Sequence, residues 1–122
     1  MKILLEGKSC VDGVTSAIVS LENNWITNAG FGSNLNNDGI VQCDAGIMSG
    51  QNLKWAAVGA LSGVTNPILG AKLLLEEQEK KQPLGLVVPN ILVGDGARSW
   101  CQAKGCDISD NLISGIFLKG KK

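Results

Sequence analysis

Histidine is absent from this chain of 122 residues, so neither a Ser-His-Asp nor a Cys-His arrangement has its base. Cysteines stand at positions 10, 43, 101 and 106 with no CxxC pair among them. A zinc site would need all four thiolates from scattered positions, and no side-chain metal site or cofactor is expected. The sequence has no G-x-S-x-G elbow, P-loop or complete GxGxxG. Gly94-Asp95-Gly96 could hold an anion at a helix N-terminus, but a plain turn with Asp95 as cap explains it more simply. Asp38 and Asp44 flank one strand, a placement that suggests an acid/base pair. Asp38 reads as a turn residue. Asp44 is either a structural, hydrogen-bonded acid or one that helps to shape a site. What remains is Thr27-Asn28-Ala29-Gly30-Phe31-Gly32-Ser33-Asn34-Leu35-Asn36, followed by Cys43-Asp44-Ala45-Gly46-Ile47-Met48. Small and amide side chains stand here where a core strand would carry Val, Ile or Leu. Glycine lets a backbone approach closely, and asparagine offers a donor and an acceptor at one point. The pattern describes a polar pocket wall.

The elements that must position this wall are legible around it. Ser9 with Asp12 forms a capping box and opens a helix with Val14, Ala17, Ile18 and Leu21 on one face. Asn23-Asn24 ends that helix. Asn37-Asp38-Gly39 is a hairpin turn, leading into a strand near 40–47. After a turn at 49–52, a second strand is expected over 53–61. Asn66-Pro67 starts a helix to about Lys81, with Asn66 as its amide cap. Its Glu76–Lys80 and Glu77–Lys81 spacings suit ion pairs on a solvated face. A loop over 82–89 precedes a short buried strand at 90–93, and a last helix runs to Gly105. This order predicts an α/β layer fold with an antiparallel strand pair. Trp25, Trp55 and Trp100 are dispersed, which suits three packing roles rather than a stacking platform for bases.

Composition sets the outer bounds. The length suits one domain spanning 1–122, and 44% hydrophobic residues argue against disorder. Eleven basic and eleven acidic residues balance to zero, which gives no reason to expect nucleic acid as a partner. Lys119-Gly120-Lys121-Lys122 is a small basic tail. No run is long and apolar enough for a membrane span, and no signal-peptide pattern opens the chain. A cytoplasmic or nuclear protein with reduced, buried thiols is expected.

The wall residues, together with Ala57-Val58-Gly59-Ala60-Leu61-Ser62-Gly63, Asn66-Pro67 and Leu92-Val93-Gly94-x-Gly96-Ala97, resemble the α-subunit of the threonine aspartases. These belong to the type-2 asparaginase group of N-terminal-nucleophile hydrolases. The resemblance covers about Lys2 to Asp107. Ser33-Asn34-Leu35-Asn36 and Cys43-Asp44-Ala45 lean toward the aspartase branch. Gly46 and Ser49 depart from it, standing where the family usually has serine and aspartate.

The resemblance implies part of an αββα sandwich, made as one precursor and cut to expose a threonine. That threonine's own amino group is its base. It implies an endopeptidase acting on aspartate-containing protein sites. Asn28, Gly30 and Gly32 match the segment beside the nucleophile, where Asn28 would orient the threonine and the glycines would admit it. Thr15, Thr27 and Thr65 all fall in α-subunit-like segments without the preceding aspartate or glycine of a cleavage junction. The chain is therefore expected to lack the nucleophile, the first strand and the β-subunit, and to be inactive alone. Its expected partner is a β-subunit or a full-length copy. The alternatives are an isoaspartyl peptidase or L-asparaginase subunit, and a non-catalytic truncated isoform with a binding or regulatory role. In the asparaginase branch, the position of the 21–27 loop wraps a sodium ion through main-chain carbonyls, which would leave no side-chain signature.

Overall fold

The structure is a computed structural model that describes residues 2–109, so the basic tail lies outside the described residues. A short helix α1 (Lys2–Leu5) turns at Gly7 into α2 (Cys10–Glu22). The capping box is formed: Ser9 Oγ accepts from the Asp12 N–H at 3.1 Å, and Asp12 Oδ2 accepts from the Ser9 N–H at 3.2 Å. Asn23 is the C-cap, where the asparagine pair predicts it. The buried face differs from the expected one. Val14 and Leu21 are 51% and 52% exposed, and Ala17 is exposed as well. Thr15 and Glu22 are buried instead, with Val11, Ile18 and Val19 packed against the core. Each of these two polar residues keeps a hydrogen bond in the interior. Thr15 Oγ1 donates to the Val11 carbonyl, and Glu22 accepts from α3.

The sheet has three strands in the order β1 (Cys43–Met48), β2 (Trp55–Leu61) and β3 (Ile91–Val93). β1 and β2 are antiparallel, with Ala45 opposite Val58 and Ile47 opposite Ala56; β3 lies parallel to β2. The hairpin turn at 37–39 is present, but β1 begins only at Cys43, because Leu35 and Val41 make a single isolated bridge before it. Asn36 organises the turn, its Oδ1 accepting from the Asp38 and Ile40 N–H groups. β3 is less buried than its apolar sequence suggests: Ile91 and Val93 are exposed, and Leu92 alone turns inward.

Helix α3 (Pro67–Glu77) covers one face of β1 and β2, and α4 (Gly94–Ala103) packs on β2 and β3. The core between them contains Ile47, Ala56, Val58, Leu61, Ile68, Leu74 and Cys101. α3 stops four residues before Lys81, and its acids pair differently from the expected spacing. Glu76 meets Lys72 at 3.4 Å, while Glu77 meets Lys80 and reaches Lys104, the C-cap of α4, at 3.0 Å. Tertiary contact thus replaces one of the local pairs. Neither Asn66 nor Asp95 makes a side-chain cap bond; Asn66 donates to Asn23 Oδ1 at 2.9 Å. Trp25 and Trp55 are exposed, contrary to a packing role, and the part-buried Trp100 lies under Lys104 Nζ at 5.6 Å. The thiols are not uniformly buried either: Cys10 is exposed and Cys106 is half-buried.

Candidate functional site

The polar wall closes around a cavity of about 290 Å³ between the C-terminus of α2, the 28–34 segment, the start of β1 and the start of α3. Asn28, Gly30, Ser33, Asn34, Asp44 and Glu22 are among its lining residues. The Asn34 N–H donates to Asn28 Oδ1 at 2.9 Å. That bond identifies which end of the amide is oxygen, and it leaves Nδ2 as the group that donates elsewhere.

Two glycines make this geometry possible. Gly30 has φ +52°, and a Cβ there would lie 2.7 Å from Glu22 Cβ and from the Glu22 carbonyl. At Gly32 a Cβ would lie 2.0 Å from the Thr27 carbonyl and 3.0 Å from those of Asn24 and Trp25. A side chain at either place collides with backbone. Gly30 lines the cavity; Gly32 does not, and serves instead to seat the segment on the 21–27 loop. The main-chain oxygens of Asn24, Trp25 and Thr27 turn toward Gly32, and the Asn24 carbonyl already accepts from the Thr27 N–H and hydroxyl.

Asp44 and Asp38 are not brought together as a pair at the cavity. Asp38 is an exposed turn residue, and Asp44 lines the wall. Asp44 Oδ1 accepts from the Ala60 N–H at 2.8 Å, pinning a bulge where Ala60 takes φ +47°. The acid is therefore structural, and it also shapes the cavity. Ser33 and Cys43, both buried, meet at 3.3 Å between Oγ and Sγ, joining the two halves of the motif. The two departures are accommodated. A Cβ at Gly46 would meet neighbours only at 3.8 Å, and the Ser49 N–H closes its turn on the Lys54 carbonyl at 2.8 Å.

Glu22 is the site residue that sequence reasoning missed. It is 3% exposed, and its Oε1 accepts from the Ile68 N–H at 2.9 Å, so it caps α3 across 46 residues of chain. Its Oε2 is buried with no hydrogen-bond partner among the described residues. Burial pushes its carboxyl above the ordinary range, while the Ile68 N–H and the Asn66 amide pull it down. The signal available was Glu22 just before Asn23-Asn24, a charged residue on a helix that otherwise needed an apolar stripe.

Two of the three described threonine hydroxyls are engaged structurally. Thr15 Oγ1 bonds the Val11 carbonyl, and Thr27 Oγ1 bonds the Leu21 and Asn24 carbonyls. Neither residue is among those lining the cavity. No group of His, Cys, Asp or Glu among the described residues could hold a metal, and no described helix is long and apolar enough to cross a membrane. A larger cleft, of about 520 Å³, lies between α2 and α3, but its Asp12 and Lys72 charges neutralise each other.

An α/β chain with an amide-and-glycine wall of this kind has the features of a type-2 asparaginase. A family profile described as asparaginase matches residues 1–115, and the chain belongs to that family. It is 49% identical over 75 residues to an isoaspartyl peptidase/L-asparaginase of Macaca fascicularis, an alignment covering 62% of this chain and 24% of that protein. It is 34% identical over 115 residues to an isoaspartyl peptidase of Escherichia coli (93% and 33%). With a plant-type L-asparaginase of Pyrococcus abyssi the identity is 40% over 101 residues (83% and 30%). The chain thus spans about a quarter to a third of the length of these curated relatives. The relatives' names favour the asparaginase and isoaspartyl-peptidase branch over the aspartase branch toward which the short motifs lean.

Proposed function

We propose that this chain supplies the α-side wall of an N-terminal-threonine hydrolase site acting on isoaspartyl or asparagine amide bonds. The observation that carries the reading is Asn28, locked by the Asn34 N–H so that Nδ2 is presented as a donor. In this role Nδ2 orients the hydroxyl of a threonine carried on a β-subunit or a full-length copy. The α-amino group of that threonine is the base, as the family resemblance implies. Attack on the amide carbonyl then builds negative charge that N–H donors stabilise. Gly30 seats the wall against Glu22 at the end of α2, and Gly32 holds the segment in register. Main-chain carbonyls of the 21–27 loop would hold a sodium ion beneath the segment, as the resemblance to the asparaginase branch implies. The exposed sheet face would pack on a second sheet, completing an αββα sandwich.

The test assembles this chain with a threonine-headed β-subunit and assays ammonia release from L-asparagine and cleavage of a β-aspartyl dipeptide. Activity should appear only in the assembly. Asn28→Asp, which keeps the acceptor for Asn34 but loses the donor, should lower kcat at least ~100-fold without altering the melt. Unchanged kcat would rule out the orienting role.

A second reading, an endopeptidase acting after aspartate, is favoured by the Ser33–Cys43 contact, because the two aspartase-like motifs meet there. An Asp-containing peptide cleaved faster than the β-aspartyl dipeptide would select it. An assembly that forms but hydrolyses neither would favour the non-catalytic subunit.

A further inference from the structure

Two thiols are brought side by side where α4 ends. Gly105 takes φ +88°; its N–H donates to the Gln102 carbonyl, and the Cys106 N–H to the Cys101 carbonyl, each at 3.0 Å. Those paired bonds make a Schellman cap, in which an apolar contact frequently joins the side chains at the two positions closed by the longer bond. In this chain both positions are cysteine: Cys101, fully buried, and Cys106, half-buried. A direct main-chain bond between the two residues keeps their Cα atoms within about 7 Å, the limit for a disulfide without backbone movement.

The thiols also differ in character. The Cys101 thiol donates toward the Cys106 sulfur, which holds Cys106 below the ordinary thiol range against burial and the nearby Asp107 carboxylate. The same contact, with burial, pushes Cys101 up. The half-buried Cys106 is therefore the more readily ionised and the more accessible of the two, and the buried Cys101 keeps its proton more firmly.

We propose that Cys101 and Cys106 are a peroxide-reactive dithiol that closes as a disulfide across the C-cap of α4. The Cys106 thiolate attacks one oxygen of a hydroperoxide; an S–O bond forms, the O–O bond breaks, and hydroxide or alkoxide leaves. Cys101 then attacks the sulfenic sulfur. The S–S bond forms, the S–O bond breaks, and the departing hydroxide takes the Cys101 proton as water. Two sulfurs supply the two electrons that reduce the peroxide. Cys10 and Cys43 take no part. Cys10 sits at the start of α2, and Cys43 is bonded to Ser33.

The test treats the chain, assembled with the threonine-headed β-subunit, with hydrogen peroxide, alkylates the remaining thiols and digests with trypsin. Lys104 lies between the two cysteines, so cleavage there separates them. The expected product is the 99–104 peptide joined to the peptide beginning at Gly105, released by dithiothreitol. Cys106 should be oxidised at least ~10-fold faster than the exposed Cys10. In Cys101→Ser, Cys106 should stop at a sulfenic acid trapped by dimedone; in Cys106→Ser, Cys101 should stay reduced. The alternative is that Cys101 only fills space: a Cβ at Gly70 would lie 2.8 Å from its sulfur, so a small residue fits there. Cys101 remaining reduced, a linkage to Cys10 or Cys43, or Cys106 reacting no faster than Cys10 would overturn the proposal. The peptide map of the unmodified sequence decides this even if a variant fails to fold.

Discussion

Gly32 is the position with least tolerance for change, because the nearest obstacle to a Cβ is backbone rather than a movable side chain. Gly32→Ala should therefore cost about 2–4 kcal/mol by chemical denaturation, whereas Gly46→Ser, in open space, should stay within ~0.5 kcal/mol. Glu22 gives a prediction of the opposite kind. Its folded pKa is raised above the ordinary 4.5, so the folded state binds the extra proton. Its contribution is most favourable below that value and declines as pH rises through the folded pKa. Glu22→Gln keeps an acceptor for the Ile68 N–H and should remove this slope, leaving the protein at least as stable at pH 7. Glu22→Ala should lose about 1–3 kcal/mol, because the buried N–H is left unpaired. Denaturation of both variants across pH 4–8 checks this, and a slope that persists in Glu22→Gln would rule out the assignment.

At the scale of elements, α2 and α3 are joined by charge at one end and by Glu22 at the other. Asp12 serves both the capping box and Lys72, at 2.7 Å. Lys72 and Ser9 together hold the Asp12 carboxyl down to about 2, from 3.8. Here the sign reverses: the contribution is fully present above pH 3.8 and is lost as pH falls through about 2. Asp12→Asn should flatten acid unfolding in that window, and an unchanged acid limb would contradict the pairing. Ser9→Ala should cost about 1 kcal/mol through the lost cap. Helix and turn boundaries were mostly legible because caps and glycines act locally: Ser9, Asn23 and Gly105 do what their types predict. The inward face of α2 and the end of α3 were not. They depend on Glu22 reaching Ile68 and on Glu77 reaching Lys104, contacts that no local period encodes.

For the whole molecule, the sheet is covered by helices on one face. On the other, Met48, Trp55, Ile91 and Val93 are exposed beside the small Gly46, Ala57 and Gly59. Such an apolar face invites association. The chain alone should aggregate or melt broadly, and Ile91→Lys should raise its solubility while weakening assembly with a β-subunit. Sedimentation and calorimetry of the two forms check this; a sharp, cooperative melt of the unmodified monomer would contradict it.

The sequence by itself determined the family, the element order and the polar wall. These rest on residue types whose effect is local: glycines at tight backbone approaches, asparagines at turns, and serine at a cap. It also narrowed the chemistry, since a chain without histidine has no imidazole base wherever its residues lie. Only the tertiary structure decided that Glu22 is buried in the wall, that Asp44 holds a bulge, and that Gly32 stands behind the cavity rather than in it. It also joined Ser33 to Cys43. Each of these is settled by which backbone group lies within about 3 Å of a side chain, a relation set by packing between elements distant in sequence.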